Sequence, residues 1–190
     1  NVDQLELIGT LQDLATRDFL TGLPNRRSFL EQSEHHLGLL PATGQWVAVA
    51  MVDIDRFKHI NDTWGHDGGD QALRAVAATV AAHAREQDLA CRFGGEEFCL
   101  LVPGLAPEDT QHYFERLRQA IAALHIELPG STLRLTASIG VCCLRPQSDS
   151  LHELITEADR QLYLAKANGR DRVHCAPHDD ATTPLTVAPL

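Results

Sequence analysis

An apolar run from Trp46 to Val52 ends in the acidic triplet Asp53-Ile54-Asp55. Its length and β-branched content are those of a buried strand. Further along, Leu89-Ala90-Cys91 and Phe98-Cys99-Leu100-Leu101-Val102 bracket Arg92-Phe93-Gly94-Gly95-Glu96-Glu97. That pattern predicts a hairpin turning at Gly94-Gly95, because Gly-Gly accepts the positive φ angles of tight two-residue loops. With the hairpin beside the first strand, carboxylates from Asp53, Asp55, Glu96 and Glu97 meet at one end of a sheet. Unpaired anions do not gather in a partly buried place without a counter-charge. Oxygen-only ligands favour Mg²⁺, which bridges to substrate phosphates. The expectation is metal-assisted chemistry on a phosphate ester. A lysine filling the gap between Asp53 and Glu96 would remove it.

The chain has 190 residues, enough for one domain with a substantial core. Its formal net charge of −10 argues against a nucleic-acid duplex as partner, since such sites need a basic footprint. A phosphate ligand must then be held by a few local cations and a metal. No apolar stretch approaches a membrane span and no signal-peptide pattern is present, so no membrane contact is expected of this segment. The start at Asn1, without an initiator Met, reads as a fragment of something longer. Five cysteines without a C-x-x-C pair fit reduced thiols in the cytoplasm. Cys91 and Cys99, on either side of the hairpin, read as apolar fillers. The histidines form no Cys/His set for a structural zinc.

Residues 1–16 carry apolar positions at helical spacing and read as a linker or signalling helix that continues upstream. Thr21-Gly22-Leu23-Pro24-Asn25 is turn chemistry. Asn25 then caps a helix through about Leu40, with Phe29, Leu30, Leu37 and Leu40 inward. Phe57 to Trp64 reads as a short helix and Gly65 to Gly69 as a loop. Asp70 stands at the N-cap of a helix to about Gln87. Pro107 to Leu124 is amphipathic through Phe114, Leu117, Ile121 and Leu124. Leu133, Leu135, Ala137, Ile139 and Val141 alternate as one half-buried strand. Leu151 to Ala167 is the last helix, stopped by Asn168-Gly169, and Arg172 to Cys175 is a short closing strand. Residues 176–190 read as a disordered tail. The fold expected is α/β (α+β), with a mixed, mostly antiparallel sheet of about five strands flanked by helices.

Four ordered motifs point further. Arg92-Phe93-Gly94-Gly95-Glu96-Glu97-Phe98 resembles the signature of the GGDEF family of diguanylate cyclases, in its GGEEF form. Asp18-Phe19-Leu20-Thr21-Gly22-Leu23-Pro24-Asn25-Arg26-Arg27 resembles the family's opening motif. Asp53 to Asp62 and Gly65 to Asp70 resemble its substrate-binding segment. Ala158-Asp159, Leu162-Tyr163, Ala165-Lys166 and Gly169-Arg170 fit its final helix. The likeness makes residues 17–175 the catalytic domain, on a fold similar to nucleotidyl cyclases and polymerase palms. It implies synthesis of cyclic di-GMP from two GTP, with release of two pyrophosphates. Each subunit holds one GTP, so a homodimer is needed, and an upstream sensory domain is expected in the full-length protein.

The resemblance implies that Asp53, the Ile54 carbonyl and Glu96 bind Mg²⁺ or Mn²⁺, two ions per active site, since phosphoryl transfer is mostly positioning and charge neutralisation. Alternation along the strand puts Asp53 and Asp55 on one face, so Asp55 serves as support. Glu96 is the family's candidate for deprotonating the 3′-hydroxyl. Glu97 makes a second metal contact or orients a neighbour. Gly94 and Gly95 let the backbone approach the ligand. Phe57, Asn61, His66 and Asp70 map to nucleotide contacts, with Asp70 selecting guanine; its bland rival is a plain N-cap. Lys58, Lys166 and Arg170 map to phosphates. Arg85 and Asp88 have the spacing of the family's R-x-x-D site, where the product cyclic di-GMP inhibits; the rival is a surface ion pair. Arg26 and Arg27 have no assigned role. The alternative function is a catalytically silent receptor for GTP or cyclic di-GMP.

Overall fold

The computed structural model describes residues 15–39, 44–144 and 151–177. Most of the expected N-terminal helix and the tail from residue 178 lie outside the described residues, as does Leu40. Helix α1 (Arg26–Leu39) starts where the Ser28 N–H donates to Asn25 Oδ1 at 2.9 Å, the cap read from the sequence. Strand β1 (Val47–Ile54) follows and is buried along its whole length. Then come α2 (Phe57–His83), β2 (Leu89–Arg92), β3 (Glu97–Pro103) and α3 (Pro107–Ala122). The chain continues through β4 (Ile126–Leu128), β5 (Ser131–Leu133), β6 (Ala137–Leu144), α4 (Leu151–Ala167) and β7 (Val173–Cys175).

The main sheet has five strands in the order β2-β3-β1-β6-β7, antiparallel except for the β6–β7 pair. Alternation along β1 divides the core. Ala48, Ala50, Val52 and Ile54 pack with Leu73, Val76, Phe114 and Leu117 of α2 and α3. Val47, Val49 and Met51 pack with Phe29 and Leu37 of α1 and with Leu154, Ala158 and Leu162 of α4. A strand covered by helices on both faces reads as a continuous apolar run, and β1 does. Cys91 and Cys99 face each other in register with free, buried thiols, and burial pushes Cys91 up to about 12. No helix of the described residues is long and apolar enough to cross a membrane.

Several expectations are corrected. The loop at 65–69 does not exist: α2 is one run in which Gly65 alone leaves helical geometry, at φ 70 and ψ 177. That left-handed φ needs glycine. Gly68 and Gly69 serve a different end. A Cβ on Gly68 would lie 2.4 Å from Trp64 Cβ, and one on Gly69 would lie 2.0 Å from Asn61 Oδ1. The two halves of the kinked helix are pressed together there. Asp70 is therefore inside the helix and is not its N-cap, and α2 ends at His83, short of Gln87.

The single strand expected over 133–141 is two. β4 and β5 form their own hairpin over Pro129-Gly130, with Gly130 at φ 75, and β6 begins at Ala137. β6 is buried on both faces, not one. Its alternation comes from small residues on the side that meets α4. A Cβ on Gly140 would fall 2.0 Å from Leu162 N and 2.2 Å from Ala158 O, so the helix rests directly on strand backbone.

The hairpin between β2 and β3 is present, but its turn runs over residues 93–96 and neither glycine has positive φ. Phe93 and Gly94 both donate N–H groups to the Glu97 carbonyl, at 2.8 and 3.2 Å. A Cβ on Gly94 would lie 2.7 Å from Glu97 Oε2 and displace the tip of that side chain, while one on Gly95 would meet nothing within 4 Å.

Candidate active site

The two acidic segments converge. Asp53 stands opposite Glu97 on β3 and Ser138 on β6. The Ile54 N–H donates to the Glu96 carbonyl at 3.3 Å, so the turn carrying Glu96 abuts the end of β1. Burial pushes the Asp53 carboxyl up to about 6; Lys166 draws it down, and the charges of Glu96 and Glu97 push it further up. Lys166 Nζ, in the last turn of α4, lies 3.0 Å from Asp53 Oδ2. The family resemblance implies a phosphate contact for this lysine; here its ammonium is the counter-charge of Asp53. Among the described residues it pairs with Asp53 alone, and Glu96 has no ion pair.

Among the described residues no three His, Cys, Asp or Glu side chains form a metal cage. The expected donors are two carboxylates and a backbone carbonyl, all hard oxygens. They fit Mg²⁺ or Mn²⁺, which keep several positions for water and phosphate. Asp55 is not available as a donor. It accepts from Thr136 Oγ1 and Ser138 Oγ, both at 2.7 Å, and from the Asp171 N–H at 3.0 Å. It fastens the end of β1 to β6 and to the turn after α4.

The kink of α2 assembles the other side. Asn61 and Phe57 both crowd Gly69, the residue before Asp70. Asn61, Phe57 and Asp70 are half-buried, whereas Lys58, His66 and Arg170 are exposed. Arg170 has φ 64, after Gly169 at φ 114.

Sequence reasoning missed what holds the signature turn. Arg92 Nη1 donates to both Asp18 oxygens at 3.2 Å, and Nη2 and Nε donate to the Gly95 carbonyl at 2.8 and 3.1 Å. Nε also reaches the Gly94 carbonyl at 3.2 Å. Asp18 further accepts from the Thr21 N–H and hydroxyl. Burial raises its carboxyl, but these bonds and the Arg92 charge leave it below the usual range. Both residues lie inside the quoted motifs, yet nothing in one-dimensional spacing pairs them. Arg26 also gains a place, with its guanidinium 4.3 Å from the Phe93 ring centroid, while Arg27 pairs with Glu31 on the surface.

Arg85 and Asp88 are paired, and not as a loose surface contact. The Asp88 side chain is fully buried. It accepts from the Arg85 N–H at 2.8 Å, from Arg85 Nη2 at 3.0 Å and from the Tyr113 hydroxyl at 2.7 Å. Arg85 Nη2 also donates to the Pro103 carbonyl at 2.8 Å, and the Arg85 side chain is 37% exposed.

The family model described as diguanylate cyclase, GGDEF domain, matches residues 15–172. Diguanylate cyclase DgcP of Pseudomonas aeruginosa is 40% identical over 163 residues, 85% of this chain and 24% of that protein. Response regulator PleD of Caulobacter vibrioides is 39% identical over 163 residues, 85% of this chain and 36% of that protein. The chain thus spans well under half the length of either relative. Among solved structures, the coiled coil and GGDEF domain of DgcB from Caulobacter crescentus, in complex with c-di-GMP, matches with a TM-score of 0.85 at 32% identity, covering 92% of this chain and 93% of that one. The five-stranded sheet and its flanking helices are those of GGDEF domains. On motif, fold and sequence likeness together, the chain belongs to the diguanylate cyclase GGDEF-domain family.

Proposed function

We propose that this chain is the catalytic domain of a diguanylate cyclase, joining two GTP into cyclic di-GMP. The observation that carries the reading is the meeting of Asp53 and Ile54 with Glu96 and Glu97 at one sheet end. Each copy holds one GTP. Asn61 and Asp70 take the guanine edge, and the Asp70 carboxylate accepts from N1–H and the exocyclic amine. Adenine offers no such donor pair, a difference worth about 1–3 kcal/mol. His66 and Phe57 line the same slot. Lys58, Lys166 and Arg170 take the triphosphate, Lys166 leaving Asp53 for a phosphate oxygen. Gly94 and Gly95 leave the turn without side chains that would block the nucleotide.

Mg²⁺ or Mn²⁺ held by Asp53, the Ile54 carbonyl and Glu96 supplies charge neutralisation on the phosphates and acidifies the attacking hydroxyl. With two copies face to face, the 3′-oxygen of one GTP bonds to the α-phosphorus of the other. The bond from that phosphorus to the β-phosphate oxygen breaks, and its electron pair leaves on pyrophosphate. The hydroxyl proton passes to the Glu96 carboxylate, with Glu97 orienting it, and on to water. The same step in the opposite sense closes the ring and releases the second pyrophosphate. Cyclic di-GMP then inhibits by placing a guanine against the exposed part of Arg85, whose fork Asp88 holds in position. GTP as substrate places the domain in the cytoplasm.

The test is incubation of the chain with GTP and Mg²⁺ or Mn²⁺, with products identified by chromatography. Cyclic di-GMP and pyrophosphate are expected. GTP left intact, with nucleotide nonetheless bound, would replace this reading with a silent receptor.

A further inference from the structure

Among the described residues, three that are not glycine have left-handed backbone: Arg56 at φ 54, Arg170 at φ 64 and Asp171 at φ 45. All three line one cleft of about 640 Å³ between the end of β1, the first turns of α2, β5 and the turn after α4. Strained backbone of this kind persists where the surroundings over-determine it, and it concentrates at functional sites.

The cleft is cationic. Arg56, His59, Arg134 and Arg170 line it, and all four are exposed. Its two acids are already engaged: Asp55 accepts three hydrogen bonds, and Asp171 pairs with Arg118. Arg134 contacts His125 Nε2, and a histidine brings no negative charge. Among the described residues, none of Arg56, Arg134 and Arg170 has an acidic partner. Three uncompensated guanidinium groups in a chain of net charge −10 mark a place for an anion. Guanidinium forks suit phosphate oxygens. The cleft is joined to the reacting centre along the chain: Asp55, in its lining, lies two residues past Asp53, and Arg170 lies four residues past Lys166.

We propose that this cleft receives the inorganic diphosphate expelled when the phosphodiester forms, with Arg56 and Arg134 as its own contacts beyond the substrate site. The choice of diphosphate rests on the cyclase reading above; the anion site itself does not. Neither arginine belongs to the catalytic machinery assigned above.

Inorganic diphosphate is titrated calorimetrically into the unchanged chain, the pair Arg56→Gln with Arg134→Gln, and a charge-matched pair Arg27→Gln with Arg160→Gln away from the cleft. The cleft pair should bind diphosphate about tenfold more weakly, and the control pair within about twofold of the unchanged chain. A non-hydrolysable GTP analogue should bind all three within about twofold. Equal melting temperatures establish that the variants are folded. Unchanged diphosphate binding in the cleft pair, equal weakening in the control pair, or an equal loss of GTP-analogue binding each overturns the proposal. If the chain makes no cyclic di-GMP yet diphosphate binding still depends on Arg56 and Arg134, the cyclase reading falls and the anion cleft stands. If cyclic di-GMP forms but the arginines do not matter, the reverse holds.

Discussion

Lys166 Nζ and Asp53 Oδ2 lie 3.0 Å apart, joining the last turn of α4 to the end of β1. The lysine only partly offsets the burial of the carboxylate, whose pKa stands at about 6 against an ordinary 3.8. A carboxyl raised in the folded state contributes stability that is full below its unfolded value and is lost as pH rises through the folded one. In metal-free buffer, Asp53→Asn should therefore gain stability relative to the unchanged chain between about pH 4 and about pH 7.5. Denaturation midpoints of the two proteins across that range measure it. Mn²⁺ affinity of the unchanged chain should rise over the same window, because only the ionised carboxylate is a ligand. A midpoint difference that does not move with pH would contradict the assignment.

Glu96 contributes its backbone carbonyl to the contact with Ile54, so removing the side-chain charge at constant length leaves that contact intact. Glu96→Gln should lower cyclic di-GMP formation by about 100-fold or more, at an unchanged melting temperature. Turnover equal to that of the unchanged chain would remove Glu96 from the ligand set.

Arg85 bridges a buried carboxylate and the Pro103 carbonyl, and its side chain stays partly exposed. Arg85→Ala should raise the cyclic di-GMP concentration for half inhibition by about tenfold, and cost about 1–3 kcal/mol of stability through the hydrogen bonds left unmade at Asp88. Arg85→Lys should also relieve inhibition, because an ammonium does not reproduce the fork. Inhibition persisting at the same concentration in both variants makes the pair purely structural.

Gly69 is a test of the nucleotide slot. A methyl there would strike the Asn61 amide oxygen, the far end of a flexible side chain, and approach Phe57 Cζ at 3.2 Å. Gly69→Ala should raise the KM for GTP by about tenfold, with a stability loss of no more than about 1–3 kcal/mol. A KM within twofold of the unchanged chain would show that Asn61 moves aside without consequence for the substrate.

The elements most readable in the sequence were those whose local chemistry had no rival. The Trp46–Val52 run, the Asn25 cap and the Asn168-Gly169 stop each state one structure. Gly65 to Gly69 did not, because glycines that allow two helical segments to touch look like glycines that make a loop. The alternation from Leu133 to Val141 misled in a similar way: Gly140 and its small neighbours are small to admit a helix, not polar to meet water. Pro129-Gly130 was an available turn signal for the β4–β5 hairpin that precedes the strand. In the site, the acids were legible as acids. The Arg92–Asp18 clamp and the Tyr113–Asp88 bond join residues 74 and 25 positions apart, and only the folded topology brings them together.

The bare backbone at Gly140 has a mechanical consequence. With Leu162 N and Ala158 O lying where a methyl would be, α4 is seated on the sheet without a cushion of side chains. Interfaces of that kind tolerate neither sliding nor lift. The register of Lys166 against β1 is thus set like a key in a lock plate, and any widening of the site to admit a nucleotide must come from the hairpin or from the kinked helix.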